Sequence, residues 1–138
     1  MTTRQDGPTV GEVMTPEPVT IHADAPLTDA ARVLEEQEIG GLPVVDRDGL
    51  LVGVLAESDL VRARATEHLW SRWPGLAVRH LMHAPALTAD PTMSLEEAAT
   101  LMERAHVHRL IVVGPDQRTP IGVISTSDIV RAIVGERG

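Results

Sequence analysis

One eleven-residue pattern occurs twice in this chain. GVLAESDLVRA runs from Gly53 to Ala63 and GVISTSDIVRA from Gly122 to Ala132; seven of the eleven positions are identical and two of the other four are Leu/Ile exchanges. Each copy starts as an apolar run with β-branched residues, passes through a small polar cluster ending in Ser-Asp, and continues as an apolar run carrying Arg. That order predicts a strand feeding a helix, with the Ser-Asp pair at the junction. The first backbone N–H groups of a helix have no intrahelical acceptor and sit at its positive end, so an anion can be held at such a junction.

The repeat reaches well beyond these residues. Val78, Leu81 and Met82 stand against Val10, Val13 and Met14, and Leu87-Thr88 against Val19-Thr20. Leu95, Ala98, Ala99 and Met102 stand against Leu27, Ala30, Ala31 and Leu34, always 68 positions on. Both of these sets have the i, i+3, i+4, i+7 spacing of a helix with one apolar face. From Gly122 against Gly53 the offset is 69, which puts one extra residue in the loop Gly114 to Pro120. Loops tolerate such an insertion best.

Each half therefore reads helix-β-α-β-β-α. In the first half, Val10, Val13 and Met14 form a short helix stopped by Thr15-Pro16. Val19-Thr20-Ile21 is a strand, and a helix opens at Pro26-Leu27 and ends at Gly40-Gly41. Strands follow at Leu42–Val45 and Leu50–Leu55 around the turn Asp46–Gly49, then a helix from about Glu57 to His68. The expected division is a tail at 1–8, a first motif at 9–68, a linker at 69–77, a second motif at 78–134 and a tail at 135–138. A fixed offset across several elements marks an internal duplication. Half a chain buries too little surface to be stable by itself. The expected fold is α/β, of the α+β kind, with the halves related by a pseudo-two-fold axis, sheets inward and helices outward.

Composition narrows the function. The 138 residues are 43% hydrophobic with no Phe or Tyr and two Trp, so the core is aliphatic. The formal net charge is −8. Nucleic acids and anionic membranes attract basic faces, so neither is an expected partner. A local Arg and a helix N-terminus can still outweigh a distant global charge for a small phosphate ligand. The absence of Cys excludes disulfides and thiolate metal sites. No stretch resembles a signal peptide or a membrane span, and the expected location is cytoplasmic.

The set VMTPEPVTI, PLTDAARVL, SLEEAATLM, LPVVD and HRLIVVG, with the two Gly-apolar-apolar-x-x-Ser-Asp junctions, resembles the cystathionine-β-synthase-type (CBS) domain pair over residues 9 to 134. The resemblance implies a regulatory module rather than an enzyme. Such modules bind AMP, ADP, ATP or S-adenosylmethionine between the motifs, commonly pair into disk-like homodimers, and act on a separate protein target. No cofactor or metal is required. A structural or dimerisation module with vestigial clefts is the alternative.

Asp128 and Asp59 lead the candidate ligands. A carboxylate near a helix start can accept from both hydroxyls of a ribose, the role the resemblance implies. The same spacing, Ser125-x-x-Asp128, is also a capping box, and one Asp can serve both ends. Ser125, Thr126 and Ser127 offer hydroxyls beside backbone N–H groups at the turn. The earlier copy has Ala56, Glu57 and Ser58 there, one hydroxyl fewer and one negative charge more. That difference predicts the better anion site at Asp128. The resemblance also assigns His108-Arg109 to ligand phosphate, where the planar guanidinium gives bidentate contacts; the first copy has Gly40-Gly41 instead. The alternative is a surface Arg at a strand start, with Asp116 as a partner. The resemblance lays an adenine against Thr15, Pro16 and Val19 for the Asp128 site, and against Ala84, Pro85 and Leu87 for the Asp59 site.

Two further patterns carry less. His80-x-x-His83 and His106-x-His108 have ligand spacing but no Cys or acidic partner motif, and His80 and His83 also suit a helix C-terminus. Ser125, His108 and Asp128 can be drawn as a triad, but no nucleophile elbow surrounds Ser125. Trp70 and Trp73 in the linker are expected either to cover the aliphatic core or to anchor a dimer contact.

Overall fold

The duplicated pattern folds as two copies of one arrangement in a computed structural model that describes residues 7–137, with side chains to residue 135. Of the expected tails, residues 1–6 and 138 lie outside the described residues; residues 135–137 continue the last helix.

In chain order the elements are α1 (Val10–Val13), β1 (Thr15–Pro16), β2 (Ile21–His22), α2 (Leu27–Gln37), β3 (Gly41–Val45), β4 (Leu51–Ala56), α3 (Glu57–Ala65), α4 (Glu67–Ser71), β5 (Thr88–Ala89), α5 (Leu95–Ala105), β6 (Arg109–Val113), β7 (Pro120–Ser125) and α6 (Thr126–Arg137). Short 3₁₀ turns cover Trp73–Gly75 and Val78–His80. The fold is mixed α/β. No helix of the described residues is long and apolar enough to cross a membrane.

The chain divides into two compact units, and their borders do not follow the sequence repeat. One unit is the chain up to Pro18 together with Leu87 onward; the other is Val19 to Ala86. Each motif's opening segment belongs with the sheet of the other copy. Within the first unit, β1 pairs antiparallel with β7, Thr15 opposite Val123 and Pro16 opposite Gly122. Within the second, His83 pairs antiparallel with Val54 on β4. The sheets run β1-β7-β6-β5 and β2-β3-β4. Parallel pairs β2–β3 and β5–β6 enclose the crossover helices α2 and α5.

Each unit has its own aliphatic core. Val10, Ala98, Leu110, Val112 and Ile124 are fully buried in the first, and Leu27, Ala30, Leu42, Val44, Leu55 and Val78 are buried to within 1% in the second. The helical stripes predicted from spacing supply Leu27, Ala30 and Leu34, and Leu95, Ala98 and Met102. Burying one such large side chain contributes about 1.5 to 3 kcal/mol. Trp73 packs on the second core, while Trp70 is exposed and stacks against Trp73 with ring centroids 4.8 Å apart. The Arg64 guanidinium lies 4.6 Å from the Trp70 ring.

Several element ends differ from expectation, each for a local reason. Helix α2 ends at Gln37, before Gly40-Gly41: Glu38 takes the left-handed conformation at φ 55°. The Ile39 N–H then reaches back to the Leu34 carbonyl at 3.1 Å, and Ile39 packs on the core. This is a Schellman closure, repeated by His106, Val107 and Met102. Gly41 begins β3 instead. The strand expected at Val19-Thr20-Ile21 is Ile21–His22, and that at Leu87-Thr88 is Thr88–Ala89. The helix from Glu57 breaks at Thr66, whose hydroxyl donates to the Arg62 carbonyl. The extra residue falls where it was predicted: Val45 and Leu51 enclose five residues and Val113 and Pro120 six.

Candidate functional site

Both Ser-Asp pairs lie at strand-to-helix junctions, β4–α3 and β7–α6. Asp59 and Asp128 are the two buried charged residues among those described, at 2% and 4% exposure. Burial of a carboxylate is costly unless it is hydrogen-bonded or paired, and both are.

At the later junction, Asp128 Oδ2 accepts from the Ser125 N–H at 2.9 Å and from the Ser125 hydroxyl at 3.1 Å. The Asp128 N–H donates back to Ser125 Oγ at 3.3 Å. The capping-box geometry is therefore realised. Asp128 Oδ1 accepts from Arg131 at 2.9 Å, and that Arg side chain is 71% exposed. One carboxylate oxygen thus serves the helix start, and the other faces a cation that solvent can draw away.

The neighbouring candidates belong to the same unit. Arg109 pairs with Ser125 across β6 and β7. The Thr126 N–H donates to the His108 carbonyl at 3.0 Å. Two of the backbone N–H groups expected to stand free for an anion, those of Thr126 and Asp128, are therefore already engaged. Thr126, Ser127 and His108 are exposed and Ser125 and Arg109 half-buried. Thr15 and Pro16 are exposed beside Val123 and Gly122, so β1 flanks the junction. The crossing is close: a Cβ on Gly122 would stand 2.4 Å from Met14 Sδ and 3.0 Å from the Thr15 carbonyl. Val19 lies in the other unit. A cleft of about 590 Å³ between α5 and α6 is lined by His108 and Thr126 with Met102, Val107, Ile129 and Val130, but not by Asp128. The drawn triad is not assembled. Ser125 Oγ is bonded to Asp128, and among the described residues no bond joins His108 to either.

The earlier junction is built alike and filled differently. Asp59 Oδ2 accepts from the Ala56 N–H at 2.8 Å. Oδ1 receives two donors, Arg62 at 3.1 Å and His83 Nε2 at 2.7 Å. Glu57 and Ser58 are exposed in the turn, and the Glu57 N–H donates to the Gly40 carbonyl at 2.9 Å. Ala84 and Pro85, joined by a cis peptide, follow His83 in the same unit; Leu87 lies in the other. His80 is directed elsewhere, its Nδ1 accepting from the Ala77 N–H at 2.8 Å. No group of three or more possible metal ligands occurs among the described residues.

His83 is the site residue that spacing alone passed over. The offset of 68 sets it against Thr15, a position already assigned to the ligand side of the other junction. Reading it as a helix-end histidine obscured that correspondence.

The CBS domain family matches residues 10–66 and 78–135. The CBS domain-containing protein YhcV of Bacillus subtilis is 28% identical over 120 residues, spanning 87% of this chain and 81% of its own length. The crystal structure of CBSX2 (known from Arabidopsis thaliana) in complex with AMP is 32% identical with a TM-score of 0.83, covering 96% of this chain and 100% of that one. The CBS domain pair of protein MJ0100, in complex with 5′-methylthioadenosine and S-adenosyl-L-methionine, has a TM-score of 0.83 at 26% identity, covering 93% and 97%. Two Ser-Asp junctions on duplicated sheets, each matched by the same family, make this chain a member of the CBS domain family with two tandem copies.

Proposed function

We propose that the chain is a regulatory module that binds an adenine-containing ligand, of the AMP, ADP, ATP or S-adenosylmethionine class, at the β7–α6 junction. The ligand ribose bonds Asp128, its phosphate or equivalent polar end meets Ser125, Thr126, Ser127, His108 and Arg109, and its base lies against Thr15 and Pro16. The observation that carries this reading is Asp128 itself: a buried carboxylate with one oxygen tied to the helix start and the other held, among the described residues, by an exposed Arg131. A ribose hydroxyl can replace that guanidinium without disturbing the cap. The adenosine ligands of CBSX2 and MJ0100 support the ligand class.

Regulation follows if the ligand prefers one arrangement of the module over another, because only a differential affinity shifts an equilibrium. The output is contact with a separate protein. Exposed Val61, Val130, Ile133 and Val134 on α3 and α6 support a homodimer, since apolar groups on helix faces favour association. The structural alternative has support at one junction only, where His83 and Arg62 already fill Asp59.

A thermal-shift panel with AMP, ADP, ATP, S-adenosylmethionine and NADH tests the reading. Ligand at about 100 times its dissociation constant stabilises the fold by about 2.7 kcal/mol. At least one adenine compound is expected to raise the melting temperature of the parent and not of Asp128→Asn. No shift with any compound would favour the structural alternative.

A further inference from the structure

The two junctions differ most in what stands beside the buried carboxylate. At β7–α6 the flanking strand offers Thr15, and among the described residues no side chain from that strand bonds Asp128. At β4–α3 the equivalent position is His83. The bridge between His83 and Val54 holds its backbone to β4, with N–H and C=O bonded to Val54 at 2.9 and 3.0 Å. The backbone anchor leaves the ring to reach Asp59 Oδ1 at 2.7 Å while 64% of the side chain stays in solvent. The acceptor is almost wholly buried, and the oxygen the ring reaches is the one outside the cap.

We propose that His83 is a built-in occupant of the Asp59 junction. Its Nε2–H donates to the carboxylate oxygen that a ligand hydroxyl would need, so the junction accepts a nucleoside only when the ring swings out. This rests on the reading of the Ser-Asp junctions as hydroxyl-binding sites. His83 is a specificity-determining residue that keeps the module to one high-affinity ligand. Its exposure lets the ring leave without unfolding anything, and the apparent affinity is the intrinsic affinity multiplied by the fraction of time the junction is open. Glu57 in the adjacent turn adds a second filter. When the ring is out, an uncharged nucleoside enters more readily than one carrying phosphate, because like charges repel across a short distance.

Calorimetric titration with adenosine and with AMP tests this on the parent, on His83→Thr and on His83→Thr/Asp59→Asn. The parent is expected to take one equivalent of AMP. His83→Thr gains a second equivalent, stronger for adenosine than for AMP and about tenfold or more tighter than any second binding by the parent, the scale of one charge-assisted hydrogen bond. The added equivalent disappears in the double variant. A His83→Thr chain that binds the same number of ligands with the same affinity as the parent overturns the proposal, as does a parent that fills two equal sites. A parent that binds nothing, beside a His83→Thr chain whose single equivalent needs Asp59, sinks the Asp128 reading and leaves the gate standing. Absence of binding by either chain sinks both.

Discussion

The β4–α3 and β7–α6 junctions share a fold and differ in occupancy. Each buries an Asp whose Oδ2 holds the N–H three residues back. Each pairs Oδ1 with the Arg three residues on. The later copy adds the Ser125 hydroxyl to the cap, and the earlier one adds the His83 ring to the carboxylate. A duplicated scaffold thus keeps its structural carboxylate twice while giving Oδ1 two side-chain donors at one junction and a single exposed guanidinium at the other, among the described residues. The cap uses one oxygen of the side chain and leaves the other outside it, which is why the capping role does not argue against the proposed binding role.

Substitutions can break this comparison at graded cost. The largest effects belong to the glycines under the flanking strands. A Cβ on Gly53 would stand 2.8 Å from the His83 carbonyl and from Met82 Sδ; on Gly122 the nearest obstacle is the flexible Met14 side chain, with the Thr15 carbonyl at 3.0 Å. Gly53→Ala and Gly122→Ala are both expected to destabilise, by about 1 to 3 kcal/mol. Gly53→Ala is expected to be the worse, because backbone yields less than a thioether. Denaturant titration of both variants checks the order.

Next come the carboxylates. Asp59→Ala and Asp128→Ala each remove a buried acceptor from a helix start and are expected to cost about 1 to 2 kcal/mol in thermal melts. Asp128→Ala also strands the Ser125 hydroxyl, so it costs more. Smaller still is the cap hydroxyl: Ser125→Ala makes the later junction like the earlier one and is expected to lose about 0.5 to 1.5 kcal/mol, while Ala56→Ser recovers part of that at the other junction. Equal and opposite shifts in urea midpoints would show the junctions interchangeable at this position.

The smallest effect is in the loop with the extra residue. Asp116 accepts from the Arg118 and Thr119 N–H groups and the Thr119 hydroxyl. The hydroxyl bond first, then the backbone bonds, lower its pKa from the ordinary 3.8 to about 2. A carboxylate depressed on folding contributes stability that is present above its unfolded value and lost as pH falls through its folded value. The stability difference between the parent and Asp116→Asn is therefore expected to be constant above about pH 5 and to shrink between roughly pH 4 and pH 2. The group is fully exposed, so the difference is small.

Much of this was legible from the residues. The stripes Leu27/Ala30/Leu34 and Leu95/Ala98/Met102, the paired strands and the position of the inserted residue all follow from spacing, because burial imposes a period. The Asp-centred junctions were legible as well. The exchange of opening segments was not, since β1 is two residues long and its counterpart at His83 is a single bridge, so neither carries a period. The left-handed closures at Glu38 and His106 were missed because glycine usually takes that conformation. The partner of His83 was hidden by distance along the chain, although the offset of 68 pointed to it.

The most direct test of the asymmetry is the stoichiometry of AMP binding measured by calorimetry on the parent, Asp128→Asn and Asp59→Asn. One equivalent is expected for the parent, retained in Asp59→Asn and lost in Asp128→Asn. Retention in Asp128→Asn with loss in Asp59→Asn would contradict the account.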